Sequence, residues 1–369
     1  METKIFVMTH KKWNEPTDPV YIPLHVGKVL HEDLGYQGDD TQDQISAKNP
    51  YYGELTGLYW VAHNVNDADY LGLCHYRRYF LNDSGNLMTK KEYEACLQAA
   101  DIILPIPVVY EKSYYEVYEE AHNIHDLEIV GKIISQLYPY MYEGFCRIIN
   151  GHQVYSGNLF VTSAQYYKEY TDWLFSIFAL AEKEIDVSTY DEYHKRVYGF
   201  LSEQLLYVWV DHKKLKICEK PIGLTQEKAE TIELKEHLRK LMQLGTQEAV
   251  GNTLTYFRSV LEKRPDVMLP ASDINGDLED LFRIIYICDT EYKEEPDKSM
   301  LRQSSDLLWL LAHYRKIESI LLHAVSGKMT DDEAMYLMQS NVSQICLQII
   351  INQHTVLKRV EKELLELLH

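Results

Sequence analysis

The sequence predicts an α/β domain followed by an all-helical one. Three observations carry this. Through residue 224, short strand-like runs alternate with segments of three-to-four-residue apolar spacing, the pattern of a sheet layered with helices. Beyond that point only the helical spacing remains. Tyrosine usage breaks at the same place, with 24 of the 29 tyrosines before residue 225 and 5 after it. The domains are therefore drawn as 1–224 and 225–369, and a chain of 369 residues suits two domains on size alone.

The elements follow in order. Strands are expected at Lys4–Thr9, Tyr70–Cys74, Ile102–Leu104, Asn158–Thr162 and Leu215–Cys218. Each is a run of about 4–6 residues bounded by turn residues or followed by a helical pattern. Helices are expected at Tyr51–Asn64, Lys90–Ala99, Leu127–Leu137, Ala164–Glu184 and Tyr190–Val210. Pro50 stands where a helix start tolerates proline. In the second domain the helices are Ile232–Leu244, Thr246–Glu262, Leu278–Cys288, Ser304–Leu322, Asp331–His354 and Leu357–Leu368. Thr330 and Glu333 fit a capping box. Leu307, Leu308, Leu311, Tyr314 and Ile317 form one apolar stripe, either a bundle core or a docking seam.

Composition narrows the function. Apolar residues make up 46% and charged residues 25%, which excludes a disordered or fibrous chain. Net charge is −19, unsuited to sequence-independent nucleic-acid binding. No run nears the ~18 apolar residues of a membrane span, and no leader is expected. The six cysteines, at 74, 96, 146, 218, 288 and 346, form no C-x-x-C pair, so buried thiols of a reducing cytoplasm are expected rather than zinc or disulfides.

Ligands of open α/β sheets bind beyond the carboxyl ends of strands. The first strand ends in Thr9, His10, Lys11 and Lys12, and the next in His75, Tyr76, Arg77, Arg78 and Tyr79. Two strand ends with histidine and paired cations, in an acidic protein, point to an anionic ligand. The alternative is pairing with surface carboxylates. If residues 75–79 stay extended, His75, Arg77 and Tyr79 share one face and Tyr76 and Arg78 the other. One arginine then reaches the ligand while the other holds an internal carboxylate.

Four other places carry chemistry. Asp39, Asp40 and Asp43 crowd one loop that could hold a metal or a sugar hydroxyl, without the EF-hand pattern. Glu54 lies near a helix start, where the dipole alone favours a carboxylate. His122 and Asp126 are four apart, either an oriented imidazole base or a structural hydrogen bond. Glu203 opens an apolar helix, as a cap or as a general base.

In order, these segments resemble a family of bacterial capsular and exopolysaccharide glycosyltransferases catalogued as a domain of unknown function. The resemblance covers about residues 4–212. It runs through Lys4–Val7, Thr9–Lys11, Tyr21–Leu24, Val26–Gly27, Ile45–Ser46, Lys48–Asn49, Glu54–Thr56 and Tyr59–Trp60. Its most specific piece is Asp69–Phe80, and it closes with His122, Asp126–Leu127 and Arg196–Glu203. The sequence departs from the family's pattern at Gln42, Gln44, Gln204 and Tyr155–Phe160.

The resemblance implies a GT-A-like nucleotide-sugar fold. It implies transfer of a hexose, galactose in pyranose or furanose form, from a UDP-sugar donor to a glycan or lipid-linked glycan. Thr9, His10, Lys11, Lys48 and Asn49 would bind the donor. Arg77 or Arg78, with His75, would steady the leaving diphosphate. Asp40 and Glu54 would hold sugar hydroxyls, Ser156–Gly157–Asn158 would form the small-residue turn admitting a sugar, and Glu203, or Asp126 with His122, would be the base. No cofactor is expected. A divalent Mn or Mg ion stays open, although no Asp-x-Asp follows Tyr70–Cys74. The setting implied is cytoplasmic, with peripheral membrane contact and a homodimer through the C-terminal helices as extensions. A non-catalytic carbohydrate-binding partner of a polysaccharide assembly system is the alternative.

Overall fold

The computed structural model describes residues 1–360. The chain divides into two compact units, one ending at Thr225 and the other starting at Gln226. The first unit holds the strands found among the described residues. They are β1 (Thr3–Thr9), β2 (Tyr21–His25), β3 (Gln37–Gly38), β4 (Tyr70–His75), β5 (Arg78–Phe80), β6 (Ile102–Pro105), β7 (Val108–Val109), β8 (Gln153–Val154), β9 (Phe160–Ser163), β10 (Ile217–Lys220) and β11 (Ile222–Leu224).

The main sheet runs in the order β10-β6-β9-β4-β1-β2-β3, with β5 pairing β4 and β11. Neighbours along this path are parallel, except that β9 runs against both β4 and β6. One edge therefore gathers the carboxyl ends of β1, β2, β4 and β6 with the start of β9. Alternation along the strands buries both faces. Phe6, Met8, Leu24 and Leu73 join one core with the helices Leu55–Asn64, Ile124–Leu137, Ala164–Ala181 and Val197–Lys213. Ile5, Val7, Tyr21 and Cys74 join the other, under the helix Lys90–Ala99.

Local chemistry explains where the elements differ from expectation. β2 carries Pro23, which argues against a central strand. It is tolerated because β3 pairs only with Leu24 and His25, leaving Pro23 no partner on that side. The helix expected over 51–64 is two, Asn49–Tyr52 and Leu55–Asn64, split at Gly53, whose φ is +54°. The helix expected from Tyr190 begins at Val197 after a single 3₁₀ turn. Helices Tyr114–Ala121 and Pro139–Ile149 were not expected; the first opens with a Ser113–Glu116 capping box.

The second unit is helical throughout its described residues. Its core includes Leu238, Phe257, Ile284, Leu310, Tyr314 and Ile350. The Thr330–Glu333 capping box forms. The helix expected over 331–354 is interrupted between Gln339 and Gln344, where Asn341 adopts φ +45°. Leu307, Leu311, Tyr314 and Ile317 are buried, but Leu308 is 56% exposed and leaves the apolar stripe. The helix expected over 357–368 is described only through residue 360, its start lying in the short helix Thr355–Lys358, and residues 361–368 lie outside the described part. Among the described residues no helix is long and apolar enough to cross a membrane.

Candidate active site

The segment 75–79 does not stay extended. β4 ends at His75, the chain reverses through Tyr76 and Arg77, and Arg78 pairs with His75 across the turn. Directly opposed residues of a hairpin point to the same face, so His75 and Arg78 share a side. Arg77 is only 7% exposed, packed by the ring of Tyr76.

The start of β9 completes this corner. His75 Nε2 lies 2.8 Å from the carbonyl oxygen of Gly157, so Nε2 carries the proton and donates. Burial pushes the His75 imidazole below its usual range, with the Glu54 carboxylate opposing and Arg78 adding to the effect. It is therefore a neutral positioning group rather than a second cation for phosphate. Gly157 has φ +90°, and a Cβ there would fall 3.0 Å from Arg78 Nη1. A glycine is needed both for the turn and for the guanidinium beside it.

Asn158, buried with φ +53°, ties three segments together. Its amide donates to Glu54 Oε1 at 2.6 Å and to the Gly199 carbonyl at 3.1 Å. Its Oδ1 accepts from the Ser202 hydroxyl at 2.9 Å. Glu54 immediately precedes Leu55–Asn64, and Gly199 and Ser202 belong to Val197–Lys213. Glu203 follows in the second turn of that helix, so it is not a cap.

Glu203 is the site's titrating group. Burial raises its carboxyl to about 7, Glu54 adding to the rise while Arg78, the Gly157 N–H and Arg196 oppose it. Arg196 immediately precedes the helix and lies over the rings of Tyr193 and Phe200, at 5.1 and 5.5 Å. Neither Arg78 nor Arg196 has an ion-pair partner among the described residues, whereas most cations of this acidic chain do. Two guanidinium groups left open beside a carboxyl poised near neutrality can hold an anion and move a proton together.

Other expected site residues fall elsewhere or turn structural. The Thr9 hydroxyl closes a turn on Lys11, accepting its N–H at 3.0 Å, and His10 is exposed, edge-on to Tyr76. Lys48 pairs with Glu182 at 2.6 Å. Asn49 donates to the Gly53 carbonyl and holds the helix break. Ser156 is exposed beside Gly157. Asp40 lies against Gly38 and Lys28.

His122 and Asp126 do not form a pair. The helix starts after Asn123, leaving His122 outside it, and both Asp126 oxygens accept from Tyr190 at 3.0 and 2.9 Å. His122 instead stacks on Phe200 at 4.2 Å, and burial lowers it to about 4, with His194 and Arg196 adding to the effect. Arg196 and Ser202 were missed as site residues. Arg196 and Glu203 are seven apart, two helical turns, and that spacing could have found the pair.

Among the described residues this corner gathers no trio of acidic or histidine ligands. Among the described residues the one trio of adjacent acidic or histidine ligands is Glu227, Asp273 and Asp277, in the helical unit, and Lys235 Nζ already lies 2.6–2.8 Å from all three. At the end of β4 stand His75 and Arg78 instead.

Comparison with known proteins agrees with this architecture. No curated protein matches the chain. Among solved structures, WbbM, a bifunctional glycosyltransferase in its apo form, is similar with 29% identity and a TM-score of 0.57. The similarity covers 62% of this chain and 46% of that one, so this chain spans less than half of that protein's length. It supports a GT-A-like α/β domain followed by a helical region. A family profile matches residues 4–214, more than half of the chain. The chain thus belongs to the family described as a domain of unknown function, DUF4422.

Proposed function

We propose that this protein is a glycosyltransferase that moves a hexose from a UDP-sugar to a hydroxyl of a glycan acceptor. One observation carries the reading: Glu203, raised to about 7, lies beside Arg78 and Arg196, neither of which has an ion-pair partner among the described residues. Glu203 in its ionised form takes the proton of the acceptor hydroxyl as that oxygen attacks the anomeric carbon. The bond from that carbon to the diphosphate breaks, and the charge left on the departing UDP is held by the Arg78 guanidinium. Asn158 and Glu54 fix the floor on which the sugar would rest. Arg196 and the aromatic group around His122 would face the acceptor. The similarity to WbbM supports sugar transfer as the reaction class, and the Asp69–Phe80 resemblance supports galactose, pyranose or furanose, in capsular or exopolysaccharide assembly.

The test is product analysis with radiolabelled UDP-hexoses, with and without a glycan acceptor. Label moved to the glycan only when acceptor is present supports transfer. Free sugar released equally in both arms would make the protein a hydrolase. Binding without turnover in either arm would make it a non-catalytic partner.

A further inference from the structure

The helical unit carries a groove of its own. Its volume is about 290 Å³, close to the lower end of ligand pockets, roughly 300–1,000 Å³. The walls are the helices Ala229–Met242 and Gln247–Lys263, with the 3₁₀ turn Pro265–Met268 beside them. Leu234, Val260 and Val267 give it an apolar floor.

The rim is polar, and helical spacing puts it there. Glu230, Glu233, Leu234 and His237 stand at i, i+3, i+4 and i+7, one face of the first helix. Tyr256, Val260 and Arg264 follow at intervals of four along the second helix and its C-terminal cap. Tyr256 is 37% exposed, and its ring centroid lies 4.7 Å from that of the exposed His237, so the two make an aromatic corner open to solvent.

The rim is also held in place. Arg264 donates to Asp266 from Nε at 2.7 Å and from Nη2 at 2.9 Å, which fixes the planar fork. The Thr231 hydroxyl donates to the Val267 carbonyl at 3.0 Å and ties the 3₁₀ turn to the first helix. None of these side chains belongs to the corner around Glu203.

The chemistry of the rim selects the ligand. Glu230 lies 3.8 Å from Arg264, so charges of both signs line one opening. An anion there meets two glutamates, and a cation meets the guanidinium. A neutral polyol suits both. Arg264 donates, the carboxylate oxygens accept, and the Tyr256 hydroxyl does either. A sugar ring matches this set, because its C–H face lies on aromatic and aliphatic groups while its hydroxyls donate and accept around the edge.

We propose that this groove is a second carbohydrate site, which binds a neutral stretch of glycan apart from the catalytic corner. Its choice of ligand rests on the glycan-acceptor reading above. Sugar rings lie on the Tyr256–His237 corner and the apolar floor, with their hydroxyls bonded to Glu230, Glu233 and Arg264.

The test is native affinity electrophoresis of the full chain, without nucleotide sugar, through gels holding soluble galactan, mannan or dextran. It is repeated on Tyr256→Ala, Glu233→Gln and Arg78→Ala. At least one of the three glycans slows the unmodified chain twofold or more relative to a glycan-free gel. Tyr256→Ala and Glu233→Gln lose most of that retardation with melting temperatures unchanged, and Arg78→Ala keeps it. No retardation by any of the three glycans overturns the groove. Retardation that survives Tyr256→Ala overturns it too; Glu233→Gln, at an exposed position, takes that place should Tyr256→Ala fail to fold. Retardation lost in Arg78→Ala would put the glycan in the first unit and likewise overturn the groove. Label transfer to glycan without retardation leaves the transfer reading standing alone, and retardation without transfer leaves the groove standing alone.

Discussion

The amide of Asn158 donates to Glu54 Oε1 at 2.6 Å, joining residues 104 positions apart in the chain. That bond fixes the start of β9 against the start of a helix, and with it the positions of Gly157 and Arg78. Replacing Asn158 by Ala leaves a part-buried Glu54 oxygen and the buried Ser202 hydroxyl without this partner. The expected cost is about 1–3 kcal/mol. Asn158→Asp sets two carboxylates together and costs more. Thermal melts of both variants check the order.

As the proposed base, Glu203 is expected to make activity rise with pH. A base works ionised, and this one is raised to about 7, so kcat/KM falls as the pH drops below 7. Glu203→Gln loses roughly 10²–10⁴-fold in kcat and the acid limb of the profile. A pH–rate profile of both proteins measures this. An unaltered limb in the variant would assign it to another group.

Arg77 and Arg78 part company. Arg78→Ala weakens UDP-sugar turnover at least tenfold with little change in melting temperature, and Arg78→Lys restores only part, since lysine lacks the planar fork. Arg77→Ala acts on stability instead, because that side chain is 7% exposed and packs by Tyr76. Parallel kinetics and melts on the three variants separate these roles.

Lys235 stands where a cation would. Its Nζ meets Glu227, Asp273 and Asp277 at 2.6, 2.7 and 2.8 Å. Lys235→Met leaves three crowded carboxylates uncompensated and costs roughly 3–5 kcal/mol. Millimolar Ca²⁺ recovers much of that loss in the variant and does little for the unmodified chain, as melts with calcium or chelator would show.

Glu291 gives the helical unit a pH dependence. It is fully buried, accepts from the Ser343 hydroxyl and the Met300 N–H, and burial raises it to about 7. A carboxyl raised on folding stabilises the protein below its unfolded value and loses that contribution as pH climbs through 7. Glu291→Gln removes roughly 3 kcal/mol of pH-dependent stability between about pH 4.5 and 7. Melts at pH 5 and pH 8 on both proteins test the slope.

Much of this was legible in the chain. The strands β1, β4 and β6 and the helix Lys90–Ala99 stand where alternation and spacing put them. Glu54, Arg78 and Glu203 stand out from strand ends and helix starts and Asn158 from the family resemblance, and the structure brings the four to one corner. What escaped has physical reasons. The reversal at Tyr76–Arg77 carries no glycine, proline or asparagine, so nothing local announces a turn. Pro23 disguised β2. The spacing of His122 and Asp126 suggested one helical face, but the Asn123 side chain starts the helix one residue too late. Arg196 was visible only as the edge of a matched segment, because its aromatic seat, Tyr193 and Phe200, forms only when a 3₁₀ turn runs directly into the helix.

The most direct measurement is calorimetric titration of UDP into the unmodified chain and into Arg78→Ala. The account predicts saturable binding at one site, weakened at least tenfold by the substitution while the fold is kept. Binding of equal strength in both proteins would contradict it.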